Sequence, residues 1–113
     1  MIDLNALAQQ TAQNSIRRGF RSDATPTPTE AMARVALIMT ELAEVVEELR
    51  LRDGVLDYTL RDGKPTGVEN ELVDIILRTL DLGAAYGFDM EKSLQAKADY
   101  NDKRPMGYGE RVR

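Results

Sequence analysis

Two acidic pairs in the sequence have the residue types and the spacing of a cation site. Glu41 and Glu44 are three residues apart in one helical apolar pattern, and Glu71 and Asp74 are three residues apart in another. Side chains at positions i and i+3 share one face of a helix. Two such helices packed side by side would bring four carboxylates together, where they repel one another unless a cation lies between them. Mg²⁺ prefers oxygen ligands, so the pattern predicts a magnesium site, which Mn²⁺ would also fit.

The opposing interpretation is that these acids are solvated helix edges paired with arginines. Each acidic pair alone is common on surface helices. Arg78 lies four residues after Asp74, where an intrahelical ion pair forms, and Arg50 and Arg52 follow the first pair. However, both acidic pairs border an apolar sector, whereas Glu47 falls opposite that sector. A border position is what a half-buried site requires.

The composition excludes several kinds of chemistry. The chain has no cysteine and no histidine, which excludes disulfides, thiolate sites, Cys or Ser–His nucleophiles and His-containing zinc or di-iron sites. Acid–base chemistry must then use carboxylates, Lys, Tyr or metal-bound water. The net charge of −4 argues against binding a nucleic acid polymer. It does not argue against a nucleotide, because bound Mg²⁺ reverses the local charge.

Length and composition predict one soluble domain that covers residues 1–113. The chain is 42% hydrophobic and 30% charged, and its few aromatic residues imply an aliphatic core. No apolar run approaches the ~20 residues of a membrane span, and no signal peptide precedes the first helix. We therefore expect a cytoplasmic protein without a membrane partner. A small aliphatic core often continues across a subunit interface, so a homodimer or homotetramer is expected.

Capping signals and apolar periodicity predict an all-α fold of four helices. Asp3, Thr27 and Asp89 have the sequence context of N-caps, and a capping box begins at Thr27. The predicted helices cover residues 3–18, 28–52, 68–86 and 89–105. The loop at 53–67 is long for a compact domain, and a short hairpin is predicted between Leu56 and Arg61.

The apolar sectors of the second and third helices are expected to pack in the core. The sector of the second helix contains Val35, Ile38, Leu42, Val45, Val46 and Leu49. The sector of the third contains Val68, Leu72, Ile75, Ile76, Thr79, Leu82 and Tyr86.

Two further features could contact a ligand. Lys97, Asn101 and Arg104 are spaced i, i+4 and i+7, so they share one stripe of the fourth helix. Such a cationic and amide stripe can bind phosphate oxygens, although many such stripes are only solvated. Phe20, just past the first helix, is either a plug on the core or a stacking surface for a base.

The motifs together resemble those of MazG-like nucleoside triphosphate pyrophosphohydrolases. The run at 41–50, Glu-Leu-Ala-Glu-Val-Val-Glu-Glu-Leu-Arg, resembles their first acidic motif, and the run at 67–78 is similar to their Glu-x-x-Asp helix. Residues 97–105 resemble their Lys-x-x-x-Asn-x-x-Arg-Pro segment, and Gly19-Phe20 resembles the Gly-Phe pair found before the second helix. The resemblance covers nearly the whole chain, with the motifs in the same order.

The resemblance implies a MazG-like four-helix bundle completed by dimerisation, and Mg²⁺-dependent hydrolysis of a nucleoside triphosphate to the monophosphate and pyrophosphate. The implied metal ligands are Glu41, Glu44, Glu71 and Asp74. Glu44 or Glu48 would be the general base. Lys97, Asn101 and Arg104 would contact the phosphates or the sugar.

The chain departs from the family pattern at two places. Thr40 replaces the first Glu of a Glu-Glu-x-x-Glu motif, and Tyr108-Gly109 replaces a His-Gly pair. Roles that need those side chains are therefore not implied. The alternatives within this fold are a dUTP- or dCTP-directed or a phosphoribosyl-ATP pyrophosphatase. From another class, the alternative is a non-catalytic helical dimerisation or regulatory module. A di-iron protein fits poorly, because its ligand set normally includes histidine.

Overall fold

The protein, a computed structural model, is described over residues 2–51, 59–61 and 64–105. The predicted all-α class with four helices is confirmed. The helices are α1 (Leu4–Arg17), α2 (Pro28–Leu51), α3 (Val68–Ala85) and α4 (Met90–Asp102). Strands β1 (Thr59–Arg61) and β2 (Lys64–Thr66) form a short antiparallel hairpin. The hairpin predicted between Leu56 and Arg61 overlaps β1 alone, and residues 56–58 and the tail from Met106 lie outside the described residues.

The three predicted N-caps are confirmed. The carboxylates of Asp3 and Asp89 each accept a backbone N–H from three residues later, at 3.0 Å. At the start of α2 the capping box is reciprocal: the Glu30 N–H donates to the Thr27 hydroxyl at 3.2 Å, and the Thr27 N–H donates to the Glu30 carboxylate at 2.9 Å. These caps pair backbone N–H groups that the first turns leave free, so local sequence fixes where α1, α2 and α4 begin.

Helix α3 is the centre of the fold. It contacts α1, α2 and α4, whereas within the described residues the backbones of α1 and α2 do not approach each other. The two outer helices therefore lie on either side of α3 with a gap between them. Among the residues whose burial the structure describes, the buried hydrophobic side chains are Ala8, Ala12, Val45, Val68 and Leu80. No helix in the described part of the chain is long and apolar enough to cross a membrane.

Much of the apolar sector predicted for α2 is exposed. Val45 is buried, but Val35, Leu42 and Val46 are 45%, 48% and 56% exposed. No other described element of this chain covers these three, so their packing in a core completed by a second subunit stays a prediction. With Met32 and Met39, also exposed, they recur at alternating spacings of three and four residues. These five residues are called the α2 stripe below. On α3, Leu72 and Ile76 are exposed in the same way.

Helix α4 stands away from the other helices after its first turn. The Leu4 N–H donates to the Glu91 carboxylate at 3.2 Å, and the Asn5 amide donates to Asp89 at 2.9 Å. Beyond this contact with α1, every residue from 91 to 103 is exposed. The helix ends at Asp102, before the predicted end at Pro105. A proline disfavours helical backbone at the residue before it, so Arg104 lies beyond the helix rather than on its stripe.

Candidate metal centre

Three of the predicted metal ligands lie together where α2 packs on α3. Glu41 and Glu44 are one turn apart on α2, and Glu71 comes from the first turn of α3. One carboxylate oxygen of each lies within 4.8 Å of those of the other two. Glu41 and Glu71 are half-buried, and Glu44 is exposed. These three residues are called the carboxylate cluster below.

The carboxylate cluster has more negative charge than its surroundings balance. Desolvation, the hydrogen bond with Glu41 and the charge of Glu44 together raise the pKa of Glu71 to about 7. An isolated glutamate releases its proton near 4.5. The cluster therefore holds a proton near neutral pH. A bound divalent cation would lower the pKa of Glu71, because it stabilises the charged carboxylate, and the proton would be released. Three carboxylates without His or Cys are the donors that suit a hard cation, so these residues fit Mg²⁺.

One arginine neutralises part of the cluster. The Arg78 Nη2 lies 3.1 Å from the Glu41 Oε1, so the ion pair joins α3 to α2. The opposing interpretation of the sequence, pairing of the acids with arginines, thus holds for Glu41. Glu47, which belongs to neither acidic pair, pairs with Arg50 at 3.2 Å on the exposed side of α2. Glu71 nevertheless keeps its raised pKa in the presence of Arg78.

The other two predicted carboxylates lie one turn away. Asp74 follows Glu71 by one turn of α3, is exposed, and is not in the group of three oxygens. It lines a neighbouring cavity instead. Glu48 follows Glu44 by one turn of α2 and is half-buried. Ligation by Asp74 and base catalysis by Glu44 or Glu48 stay predictions.

The predicted phosphate contacts on α4 form a group of their own. Lys97 Nζ and Arg104 Cζ lie 5.3 and 5.7 Å from the centre of the Tyr100 ring. The Arg104 Nη1 donates to the Asn101 side-chain oxygen at 3.1 Å. These four residues are called the α4 cation group. Within the described residues α4 has no contact with α2, so the group does not lie beside Glu41 and Glu44 of the same chain.

A cavity of about 670 Å³ occupies the gap between α1 and α2, over α3. It is called the arginine cavity here, because Arg18, Arg21, Arg34 and Arg78 line it. Phe20 is at its rim and is 77% exposed. The hypothesis that Phe20 plugs the core is therefore wrong for this chain, and stacking on a base stays a prediction.

A buried ion pair that no sequence pattern predicted lines this cavity. The Arg21 Nε and Nη2 donate to the Asp81 Oδ1 at 3.0 and 2.8 Å, and the Ser15 hydroxyl donates to the Oδ2 at 2.9 Å. The Arg21 side chain is 5% exposed and that of Asp81 is 16% exposed. Arg21 lies in the connector after α1, sixty residues before its partner. Helical spacing cannot reveal such a pair, because it relates neighbours on one helix alone.

Comparisons of the chain with models of protein families, with curated proteins and with solved structures found no match.

Proposed function

We propose that this chain is a Mg²⁺-dependent nucleoside triphosphate pyrophosphohydrolase, which converts a nucleoside or deoxynucleoside triphosphate and water to the monophosphate and pyrophosphate. The observation that carries the proposal is the carboxylate cluster, in which Glu41, Glu44 and Glu71 approach within 4.8 Å. A cluster of acids alone would not indicate a substrate. The MazG-like order of motifs along the chain supplies that part of the proposal.

Bound Mg²⁺ would neutralise charge on the phosphate oxygens and favour departure of pyrophosphate. The residues of the chain would do the rest. Glu44 or Glu48 would hold a water molecule and accept its proton, while the water oxygen bonds to the α-phosphorus and the bond from that phosphorus to the bridging oxygen breaks. A chain without Cys or His can carry out this reaction, because it needs no protein nucleophile.

A second copy of the chain would complete the site. The α4 cation group would have to reach the phosphates, but within the described residues α4 contacts α1 and α3 and not α2. In a homodimer or homotetramer, α4 of one subunit can lie against the carboxylate cluster of another. The α2 stripe supports such an assembly, because exposed apolar residues at spacings of three and four form the seam of helix pairs.

The assembly is tested by placing a charge in the α2 stripe. Leu42→Glu should convert the wild-type oligomer to a monomer in light scattering coupled to size exclusion, because burial of a charge without a partner is unfavourable. Ala33→Glu, an exposed position outside the stripe on the same helix, should leave the mass unchanged. A monomeric wild type, or an oligomer that survives Leu42→Glu, would contradict the proposed interface.

The reaction is tested with a panel of ribo- and deoxyribonucleoside triphosphates, including dUTP, dCTP and phosphoribosyl-ATP. Each is incubated with Mg²⁺ or with EDTA, and the products are separated by ion exchange. Monophosphate and pyrophosphate, formed with Mg²⁺ alone, are expected, and the rates rank the substrates. Diphosphate and orthophosphate would show cleavage of a different bond and overturn the proposal.

The second candidate function is a non-catalytic helical dimerisation or regulatory module. The α2 stripe favours it, since exposed apolar surface of this kind serves association whether or not catalysis occurs. In that case no nucleotide of the panel is hydrolysed and Mg²⁺ does not raise the melting temperature. A cytoplasmic location fits both candidates and is part of the proposal.

A further inference from the structure

We infer that the arginine cavity is a binding site for the phosphate group of a phosphorylated small molecule, separate from the carboxylate cluster and from the α4 cation group. The cavity has three walls. Arg18 comes from the end of α1, Arg34 from α2, and Arg78 from α3. Guanidinium groups that converge from different elements suit a phosphate, because each can donate paired hydrogen bonds to its oxygens.

Arg34 is the residue that most requires a ligand. Its Nη1 is buried and has no hydrogen-bond partner in the described part of the chain, although its side chain is only partly buried. The nearest acid along α2, Glu30, is one turn earlier. Its carboxylate accepts the Thr27 backbone N–H and is attracted to the charge of Arg34, but it does not accept a hydrogen bond from Nη1. Buried N–H groups in folded proteins are almost always paired with protein, water or ligand. A phosphate oxygen in the cavity would supply the acceptor that Arg34 lacks.

The charge in the cavity favours an anion. Four arginines line it against two aspartates, Asp74 and Asp81. Asp81 is already neutralised by Arg21, and Ser15 donates to its second oxygen. The charge of Arg78 is balanced by Glu41, its ion-pair partner in the carboxylate cluster. Arg18 and Arg34 remain against Asp74, so the lining residues keep one positive charge, which Glu30 outside the lining offsets in part.

The size of the cavity indicates that the phosphate is attached to a larger molecule. A volume of about 670 Å³ is that of a small-molecule site rather than of a single ion. Leu37 and Leu77 add apolar wall, and the exposed ring of Phe20 lies at the rim. A flat ring attached to the phosphate could stack on Phe20. A nucleoside monophosphate has both parts, and inorganic phosphate has the anion alone.

The test measures binding to the metal-free full-length protein by titration calorimetry in EDTA. The probes are inorganic phosphate, AMP, UMP and the unphosphorylated nucleosides. AMP or UMP should bind, and neither nucleoside should. If a monophosphate binds at least tenfold more tightly than inorganic phosphate, the site takes a phosphate ester. If the two bind equally, the free ion is the ligand. Because EDTA removes the metal, the result does not depend on hydrolysis by the proposed enzyme.

Two arginine variants separate the cavity from general surface charge. Arg34→Gln should weaken phosphate binding at least tenfold, and Arg18→Gln, at an exposed position, provides a second variant that does not disturb buried packing. Arg17→Gln is the matched control, because Arg17 is exposed, donates to Asn14 and does not line the cavity. Circular dichroism verifies the fold of each variant. The inference is overturned if no phosphorylated probe binds at millimolar concentration, or if Arg17→Gln weakens binding as much as Arg34→Gln.

Discussion

The carboxylate cluster and the arginine cavity lie side by side on α3 and have opposite charge imbalances. In the cluster, three carboxylates share one arginine, and the pKa of Glu71 rises to about 7. In the cavity, four arginines meet two aspartates, and no described residue supplies an acceptor to the Arg34 Nη1. Arg78 belongs to both regions. A cation in the cluster and a phosphate in the cavity would correct both imbalances, each at its own site.

The largest loss of activity is expected when a carboxylate of the cluster is replaced by a neutral amide. Glu71→Gln and Glu44→Gln should each lower the rate of pyrophosphate release more than the roughly 10- to 100-fold loss that follows removal of a residue supporting a metal ligand. Glu47→Gln is the matched control on the same helix, since its partner is Arg50 on the exposed face. Equal rates for Glu44→Gln and Glu47→Gln would show that the cluster is not the centre of the reaction.

In the arginine cavity, the largest loss of stability should follow from breaking the buried ion pair of Arg21 and Asp81. Asp81→Ala leaves the Arg21 guanidinium, 5% exposed, without its carboxylate. We expect the free energy of unfolding to fall by about 3 kcal/mol, the cost of breaking a buried pair by removing one partner. Urea denaturation measures it, with the exposed Asp23→Ala as the control. A loss of less than about 1 kcal/mol would contradict the buried role of this pair.

Stability of the metal-free protein should depend on pH through Glu71. Between pH 4.5, its ordinary pKa, and about 7, the folded chain holds a proton that the unfolded chain has released. The free energy of unfolding therefore falls as pH rises across that window, by about 1–2 kcal/mol once partial exposure is allowed for. Melting curves in EDTA measure the fall.

Glu71→Gln should flatten this dependence, because glutamine does not titrate. Added Mg²⁺ should stabilise the wild type more at the upper end of the window than at the lower, since it binds the deprotonated form. Wild-type stability that rises across the window in EDTA would contradict the assigned cause.

The smallest changes should come from Arg78→Gln, which should raise the affinity for Mg²⁺ and lower the affinity for phosphate. Arg78→Gln removes a cation that competes for Glu41, so Mg²⁺ affinity should rise a few-fold, about 0.5–1 kcal/mol for a half-exposed pair. The same change removes guanidinium N–H donors from one wall of the arginine cavity, so phosphate affinity should fall. Calorimetric titration with Mg²⁺ and with AMP measures both. A change of the same sign in both would show that Arg78 does not separate the two regions.

The sequence predicted interactions between residues that are close together in the chain. The caps at Asp3, Thr27 and Asp89 link residues three positions apart, so composition and order predict them. The acidic pairs were found for the same reason, by their spacing of i and i+3. The meeting of Glu41 with Glu71 needed the further assumption that α2 packs on α3, which the structure satisfies.

The rest required tertiary contacts that no local pattern contains. Arg21 and Asp81 are sixty residues apart in the chain, and the Arg34 Nη1 has no hydrogen-bond partner among the described residues. The apolar periodicity of α2 correctly indicated a helix with a face to bury. It did not indicate which surface covers that face. Leu42 and Val46 are exposed in the single chain. A hydrophobic pattern is the same whether the partner helix belongs to one chain or to another.

The metal centre is tested most directly by titrating the protein with Mn²⁺ and following the free ion by electron paramagnetic resonance. Wild type should bind Mn²⁺, Mg²⁺ should displace it, and Glu44→Gln and Glu71→Gln should each bind it at least tenfold more weakly, while Glu47→Gln binds as wild type does. Asp74→Asn shows in the same titration whether a fourth carboxylate joins the three. If wild type leaves Mn²⁺ free, or if all variants bind it equally, the carboxylate cluster is not a metal centre and the proposed hydrolysis loses its basis.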